Sequence, residues 1–310
     1  MLLRRIVQSL FARKAVANPV RGADASRFAL VLIRPKNRVH MSVFREIVEV
    51  VQAGLARLGY ATGVVENEFV GNARNVIFAS HVLPPQYVDL IPASAVLYNF
   101  EQIEPARDTL QFFLRKLAPR FQIWDYSRYN VEQLAALGCR HNVRYVPLGY
   151  MPELTRIDRA QEQDIDVFFS GAMSPRRERA IEALRSRGLG VTVVSNVYGA
   201  ERDRLIARAK VVLNLHYHEN TRVFEVPRVF YLLANGKAVV TERDAELDIE
   251  TDLLDAVVAA PYERLADACW DLVHDPQRRA ALGEAGMKCM RARYEVGILR
   301  SALAATPASV

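Results

Sequence analysis

Two stretches of this sequence gather the side chains from which phosphate and hydroxyl chemistry can be built. The first is DVFFSGAMSPRRERAIEALRSRG, where an apolar run ends at Ser170 and Gly171 and a helix start follows at Ser174 and Pro175. Serine followed by proline is a strong start signal, because the hydroxyl accepts from a free backbone N–H and proline's missing N–H is not needed in the first turn. Gly171 permits close approach of a ligand to the backbone, free N–H groups at the helix N-terminus attract an anion, and Arg176 or Arg177 can clamp a diphosphate. The same residues also admit a plainer reading, a glycine turn followed by two arginines on a solvated helix face.

The second stretch is KVVLNLHYHENTRVFEVPRVFYLLANGKAVVTE, Lys210 to Glu242, which reads as a strand, a polar loop, a helix that Pro227 can open, a stop at Asn235-Gly236, and another strand. His216, His218, Glu219, Arg222 and Glu225 crowd the loop, with Asn214 in the strand before it and Tyr231 in the helix after it. A carboxylate there can accept from ribose or sugar hydroxyls while a guanidinium offsets phosphate charge. His216 and His218 beside Glu219 could also suggest a metal, but no third ligand stands at a familiar spacing, so no metal is expected. Glu225 also fits simple charge compensation at a helix start. Neither stretch contains GxGxxG or GxxxxGK[ST], which counts against an NAD-linked oxidoreductase and a nucleoside triphosphatase.

Regular elements must hold these loops. FALVLIR, Phe28 to Arg34, is a continuous apolar run of the kind buried on both faces of a parallel sheet. The helix after it has Ser42 as a possible cap, an apolar stripe through Val43, Ile47, Val50, Val51, Leu55 and Leu58, and Gly59 as its stop. NVIFAS, SAVLYNF, QIWDYS and VRYVPLG continue the series in the N-terminal half, and DVFFSG, VTVVSN, VVLNLHY and KAVVTE form a second series. Strand and helix alternating in this way predict two Rossmann-like, doubly wound α/β domains. The expected organisation is a basic amphipathic segment at 1–26, an N-terminal domain at 27–150, a polar linker at 151–163, a C-terminal domain at 164–290 and a terminal helix at 291–310.

Length and charge narrow the classes further. A chain of 310 residues exceeds what one core usually organises, and 51% hydrophobic with 25% charged residues describes a globular chain. The net charge of +6 comes largely from arginines scattered among acids, without a helix-turn-helix, zinc-finger or RNA-recognition signature, so no nucleic-acid partner is expected. Cys139, Cys269 and Cys289 lie too far apart for a CxxC site or a disulfide framework, which points to a reducing, cytoplasmic setting. No apolar run approaches the roughly 20 residues that span a bilayer. Residues 1–22 combine Leu2, Leu3, Ile6, Leu10 and Phe11 with Arg4, Arg5, Arg13 and Lys14, a pattern that fits peripheral contact with an anionic membrane or a short helix packed on the domain.

From about Asp164 to Leu303 the sequence resembles the glycosyltransferase group 1 superfamily, in the branch of the CgeB-type spore-maturation proteins. The resemblance is carried by DVFFSGAMSPRR, VVLNL, RVFE at Arg222 to Glu225, LLANGKAVVTE and the closing pattern HDPQRRAALGEAGMKCMRARY. LYNFEQI, WDYSRYNVEQLAALG and VRYVPLGYMPEL resemble the same branch less specifically. The resemblance implies a GT-B fold, two Rossmann-like domains facing across a cleft, with the last helix returning to the N-terminal domain. It implies transfer of a sugar from a nucleotide-diphosphate sugar to an acceptor hydroxyl, with no cofactor and no metal.

In that reading Glu225, Arg222 and Arg177 are catalytic, and Ser170, Gly171, Ser174, Arg176, Asn214, His216, His218, Glu219 and Tyr231 bind the donor. His40, Glu101, Gln102, Asp125 and Tyr126 face the acceptor, which is a glycan, a lipid-linked sugar or a protein, and the making of a bacterial surface glycan suits the family. Many retaining members carry two glutamates separated by seven residues, the later one five residues before a glycine such as Gly236. Tyr231 occupies that later register here. The resemblance tilts towards retention, and an inverting enzyme would need a base such as His40, Glu101 or Asp125. The departure at Tyr231 also motivates the alternative of a degenerate GT-B domain that binds a sugar nucleotide or a partner without transfer.

Overall fold

A computed structural model of the protein describes residues 24–35, 39–105, 107–158, 160, 162–219, 221–244, 247 and 249–304. The basic segment at 1–22 and the side chain of His40 lie outside the described residues. The described residues divide into two compact units, one made of those between 24 and 147 together with 295–304, the other of those between 148 and 294.

In the first unit the elements run β1 (Asp24–Leu32), α1 (Arg45–Arg57), β2 (Ala61–Glu66), β3 (Ala73–Phe78), β4 (Val96–Asn99), α2 (Asp108–Phe112), β5 (Gln122–Asp125), α3 (Arg128–Leu134) and β6 (Val143–Tyr145). The strands form a parallel sheet in the order β2-β1-β3-β4-β5-β6. The apolar run at 28–33 is buried throughout, as a strand covered on both faces requires. Ser42 does not cap α1. A 3-10 turn over Val39–Phe44 precedes the helix, and the Ser42 hydroxyl instead accepts from Arg34 Nη2 at 3.2 Å. β2 escapes the apolar-run criterion because most of its residues face solvent at the sheet edge.

The second unit runs β7 (Ile165–Ser170), α4 (Pro175–Ser186), β8 (Val191–Val194), α5 (Gly199–Arg208), β9 (Ala209–Asn214), α6 (Val226–Ala234), β10 (Val239–Glu242), α7 (Thr251–Leu254), β11 (Val258–Ala260), α8 (Leu265–Val273) and α9 (Pro276–Ala292). Its parallel sheet has the order β11-β10-β9-β7-β8. One core joins Val167, Phe169, Val211, Leu213 and Val240 of the strands to Ile181, Leu184, Leu265, Cys269 and Leu272 of α4 and α8. α6 packs closely on α9, where a Cβ on Gly283 would lie 2.4 Å from the carbonyl oxygen of Gly236 and one on Gly286 2.9 Å from Leu233 Cδ2. The last helix, α10 (Glu295–Ala304), belongs to the first unit and meets α1 at Gly54, where a Cβ would sit 2.7 Å from Leu299 Cδ1.

The first half of the segment expected as a polar linker, residues 151–157, is anchored by packing and hydrogen bonds. Met151 and Leu154 are buried, Thr155 Oγ1 donates to Ala234 O at 2.8 Å, and the backbone N–H groups of Arg156 and Ile157 both donate to Asn235 Oδ1 at 2.8 Å. One buried asparagine at the end of α6 thus holds the start of the segment in place within the second unit, a contact 79 residues away in sequence that composition does not reveal.

Candidate functional site

The strand order of the second unit dictates where a ligand can enter. The chain leaves β7 for β8 on one side and later crosses to β9 on the other, so the loops after β7 and β9 part at the carboxyl edge of the sheet. Such a topological switch point is the usual ligand crevice of a doubly wound sheet. Ser170 ends β7, with Gly171 and Ser174 after it, while Asn214 ends β9, with His216, His218, Glu219, Arg222 and Glu225 after it. Ser174 is the N-cap of α4, its hydroxyl accepting from Arg177 N at 3.3 Å, with Pro175 in the first turn.

Arg177 is buried at 2% exposure and acts as a brace across this edge. Its Nη1 donates to Ala172 O at 2.8 Å, its Nε to His216 O at 3.3 Å and its Nη2 to Leu215 O at 2.5 Å. The guanidinium lies 5.1 Å from the ring centroid of Phe169 and 5.2 Å from that of Tyr217, which is 43% exposed. Burial pulls the guanidinium down to about 10; Arg228 adds to the fall and Glu225 opposes it. A planar guanidinium with five donors suits this work, and two of its N–H bonds remain for another acceptor.

Arg176, the neighbouring residue, points elsewhere. Both its terminal nitrogens bind the Glu242 carboxylate, Nη1 at 2.8 Å, and the guanidinium stacks 4.0 Å from the Tyr262 centroid. Glu242 also accepts from the backbone N–H of His216 at 3.1 Å. The pair therefore ties the end of β10 to the loop after β9 and leaves Arg176 engaged, where the sequence alone made it an equal candidate for a diphosphate. His216 has no exposed surface, and neither ring nitrogen finds a hydrogen-bond partner among the described residues. Burial lowers its pKa, favouring the neutral ring. Asn214 is likewise buried and donates to Thr241 Oγ1 at 2.9 Å, whereas Tyr217, His218 and Glu219 are exposed.

The residue that sequence reasoning missed is Arg228. A Cβ placed on Gly171 would lie 3.1 Å from Phe169 Cζ, 3.2 Å from Arg177 Nη1 and 3.5 Å from Arg228 Nη1, so two guanidiniums converge on this glycine. Arg228 Nη1 is buried without a hydrogen-bond partner among the described residues, and Nη2 lies 3.2 Å from Glu225 Oε2. Glu225 also approaches Arg177 Nη2 at 3.9 Å. Arg222 is half-buried three residues before Glu225. A signal for Arg228 was present, since the triplet RVF occurs at 222–224 and again at 228–230. The structure starts α6 between the two copies, at Val226.

Tyr231, directly after the second copy, turns from this cluster towards α5. Its hydroxyl donates to Asp203 Oδ2 at 2.8 Å and accepts from Arg156 Nε at 3.0 Å, and the guanidiniums of Arg156 and Arg202 lie 5.2 and 4.9 Å from its ring centroid. Burial, followed by Asp203, raises its pKa.

In the first unit the candidates cluster at the ends of β4 and β5. Asp125 is fully buried and accepts from Asn99 Nδ2 at 2.7 Å, Ser127 N at 2.9 Å and Asn130 Nδ2 at 3.0 Å. Burial pushes its carboxyl up to about 7 against these three bonds. Asn99 and Asn130 both donate to Glu101 O, so the network fixes the loop that carries Glu101 and Gln102. The Glu101 carboxylate lies 3.5 Å from His81 Nε2 and 3.7 Å from Arg107 Nη1, and Gln102 Nε2 donates to Glu104 at 3.0 Å. Tyr126 stacks on Phe100 at 5.4 Å.

Among the described residues no group of three or more His, Cys, Asp or Glu side chains could hold a metal ion, and no helix is long and apolar enough to cross a membrane. The Asp-x-Asp at Asp164 and Asp166 lies where β7 begins, opposite to its ligand edge, and is paired with Arg208 and Lys210.

Residues 168–297 match the family model described as glycosyl transferase-like. The uncharacterized protein L140 of Acanthamoeba polyphaga mimivirus is 29% identical over 180 residues, which cover 56% of this chain and 57% of that protein. Protein L138 of the same virus, also uncharacterized, is 33% identical over 129 residues, covering 39% and 14%. The chain thus spans little more than half the length of the first relative and a small part of the second. Among solved structures, HepE of Anabaena in complex with UDP-glucose aligns with a TM-score of 0.56 at 12% identity, over 89% of this chain and 98% of that one. WaaG, a glycosyltransferase involved in lipopolysaccharide biosynthesis, aligns with a TM-score of 0.54 at 13% identity, over 91% and 100%. At these identities the likeness is one of fold, two parallel sheets with flanking helices.

Proposed function

We propose that this chain, a GT-B protein whose C-terminal unit belongs to the glycosyltransferase group 1 superfamily, moves a sugar from a nucleotide-diphosphate sugar to an acceptor hydroxyl. The observation that carries the reading is the convergence of Arg177 and Arg228 on Gly171 at the switch point of the second sheet. Transfer breaks the bond between the anomeric carbon and the phosphate oxygen, both electrons leaving with the phosphate, and forms a bond from that carbon to the acceptor oxygen. Fixed cations beside the departing phosphate lower the barrier because they are already oriented when charge develops there. Arg177 and Arg228 have this role, with the N-terminus of α4 adding its dipole. Arg222 and Glu225 complete the catalytic set, and the loop from Asn214 to Glu219 receives the nucleotide and sugar.

With two guanidiniums serving the leaving group, the reaction needs no metal. We favour retention, in which the departing phosphate takes the acceptor's proton. Inversion would need a base from the first unit, and there Glu101 is better exposed than Asp125. Glu101, Gln102 and Tyr126 are the acceptor-side residues of this reading. HepE binds UDP-glucose, so uridine-diphosphate sugars are the first donors to try. A bacterial surface glycan, lipid-linked or protein-bound, is the acceptor class we favour, with the CgeB-like branch as the narrower affiliation and the inner face of the membrane as the place.

A thermal-shift screen of nucleotides and nucleotide sugars, with NAD as control, tests the donor; a ligand that binds the native state alone raises the melting temperature. Stabilisation by NAD and not by any nucleoside diphosphate would sink the reading. The alternative of a domain that binds without transfer is favoured by Tyr231, whose hydroxyl is tied to Asp203 and Arg156 at the register of the second glutamate. Release of UDP from UDP-sugar by the purified protein eliminates it.

A further inference from the structure

We propose that Arg177 and Arg228 form an anion site that Glu225 occupies while no donor is bound, and that the donor's diphosphate displaces this carboxylate and frees it. The inference rests on the donor reading above. Glu225 is the N-cap residue of α6, yet its side chain makes no capping bond to the helix N–H groups. It turns instead to the two guanidiniums, 3.2 Å from Arg228 Nη2 and 3.9 Å from Arg177 Nη2. The arrangement is incomplete. Glu225 Oε2 and Arg228 Nη1 are buried without a hydrogen bond among the described residues, as are both ring nitrogens of the fully buried His216. Polar atoms so placed lack the bonds that buried groups ordinarily make.

A diphosphate supplies the acceptors that Arg228 Nη1 lacks. Its oxygens accept from Arg228 Nη1 and from the two N–H bonds Arg177 has left, in the charge-assisted geometry that guanidinium favours. The charges agree with an exchange. One carboxylate leaves a pair of guanidiniums with a net positive charge, whereas the two negative charges of a nucleotide-sugar diphosphate neutralise them. With the carboxylate still in place, the site would carry excess negative charge beside the buried Arg177, and like charges at such short range repel. Glu225 is 27% exposed along its side chain, so it has a route outward. Its release couples donor binding to the appearance of a free carboxylate beside the sugar, so that Glu225 is withheld until the donor is seated.

The consequence is a pair of effects with opposite signs. Calorimetric titration of UDP into Glu225→Gln should give a dissociation constant about three- to tenfold lower than wild type, the size expected for removing one close and one longer ion-pair competitor. Turnover by the same variant should fall. Arg228→Gln should weaken UDP binding about tenfold, as loss of a charged contact does. In the double variant most of the gain from Glu225→Gln should be lost, because only the longer pair with Arg177 is left to compete. If Glu225→Gln does not fold, as its melting curve reports, Glu225→Asp serves in its place, with a shorter reach and a gain of the same sign. UDP binding by Glu225→Gln that equals or is weaker than wild type overturns the inference and leaves the donor reading standing. If neither wild type nor variant binds UDP or any other nucleoside diphosphate, both fall together.

Discussion

Arg177→Met separates a brace from a ligand contact. Methionine keeps much of the side-chain volume but withdraws donors from Ala172 O, Leu215 O and His216 O. Hydrogen bonds from a charged group contribute about 1.5–3 kcal/mol each, so the three together are worth roughly 5–9 kcal/mol before any offset. Against this stands the cost of keeping the charge buried. The fall of the guanidinium from 12.5 to about 10, which sums burial and repulsion from Arg228 against the pull of Glu225, puts that cost at about 3 kcal/mol net, at roughly 1.4 kcal/mol per pH unit. The net loss should be about 2–6 kcal/mol, which lowers the melting temperature of a unit this size by roughly 5–20 °C. Scanning calorimetry and urea unfolding followed by circular dichroism both read it. A variant that loses less than about 0.5 kcal/mol, the level of an ordinary surface substitution, while losing UDP binding would refute the reasoning: Arg177 would then be the free phosphate ligand that its sequence position alone implied.

The pH dependence of stability should carry a signature of Asp125. Its carboxyl rises from 3.8 to about 7 on folding, so the stability it contributes is fully present below about pH 4 and is lost as the pH climbs through 7. Asp125→Asn should flatten unfolding free energies measured between pH 4.5 and 8, and an unchanged slope would show that the carboxyl titrates normally. Gly283→Ala forces a Cβ against the carbonyl oxygen of Gly236, 2.4 Å away, and should cost about 1–3 kcal/mol by overpacking α6 against α9; an unaltered melting temperature would count against that close approach. Tyr231→Phe deletes bonds to Asp203 and Arg156 and should cost about 1 kcal/mol while leaving the UDP dissociation constant within about twofold of wild type. A large loss of UDP affinity would return Tyr231 to the donor site.

Much of this molecule was legible locally. Apolar runs such as 28–33 and 167–169 announce strands covered on both faces, and Ser174-Pro175 and Asn235-Gly236 mark helix ends, because burial and capping act over a few neighbouring residues. β2 and β11 were not legible: the first is a solvent-facing edge strand, and the second is only Val258–Ala260. Ser42 looked like a cap, but a 3-10 turn intervenes before α1. The segment 151–163 looked like a linker because its polarity is visible in sequence, whereas the anchorage of Arg156 and Ile157 on Asn235 is not.

Within the site, adjacent residues diverged. Arg176 and Arg177 stand side by side in the chain, and sequence chemistry treats them alike. A helix turns successive side chains about 100° apart, and distant partners then decide their work: Glu242 takes Arg176, and the carbonyls of the loop after β9 take Arg177. The two RVF triplets present the same ambiguity, since composition cannot tell which arginine reaches Gly171 and the start of α6 at Val226 can. Local sequence is therefore enough to establish that two parallel α/β units exist and that arginines, a glycine and a carboxylate gather after β7 and β9. Which arginine braces, which is left with an open donor, and that Glu225 lies between them belong to the tertiary structure alone, because hydrogen bonds between residues tens of positions apart select among side chains that neighbouring residues leave equivalent.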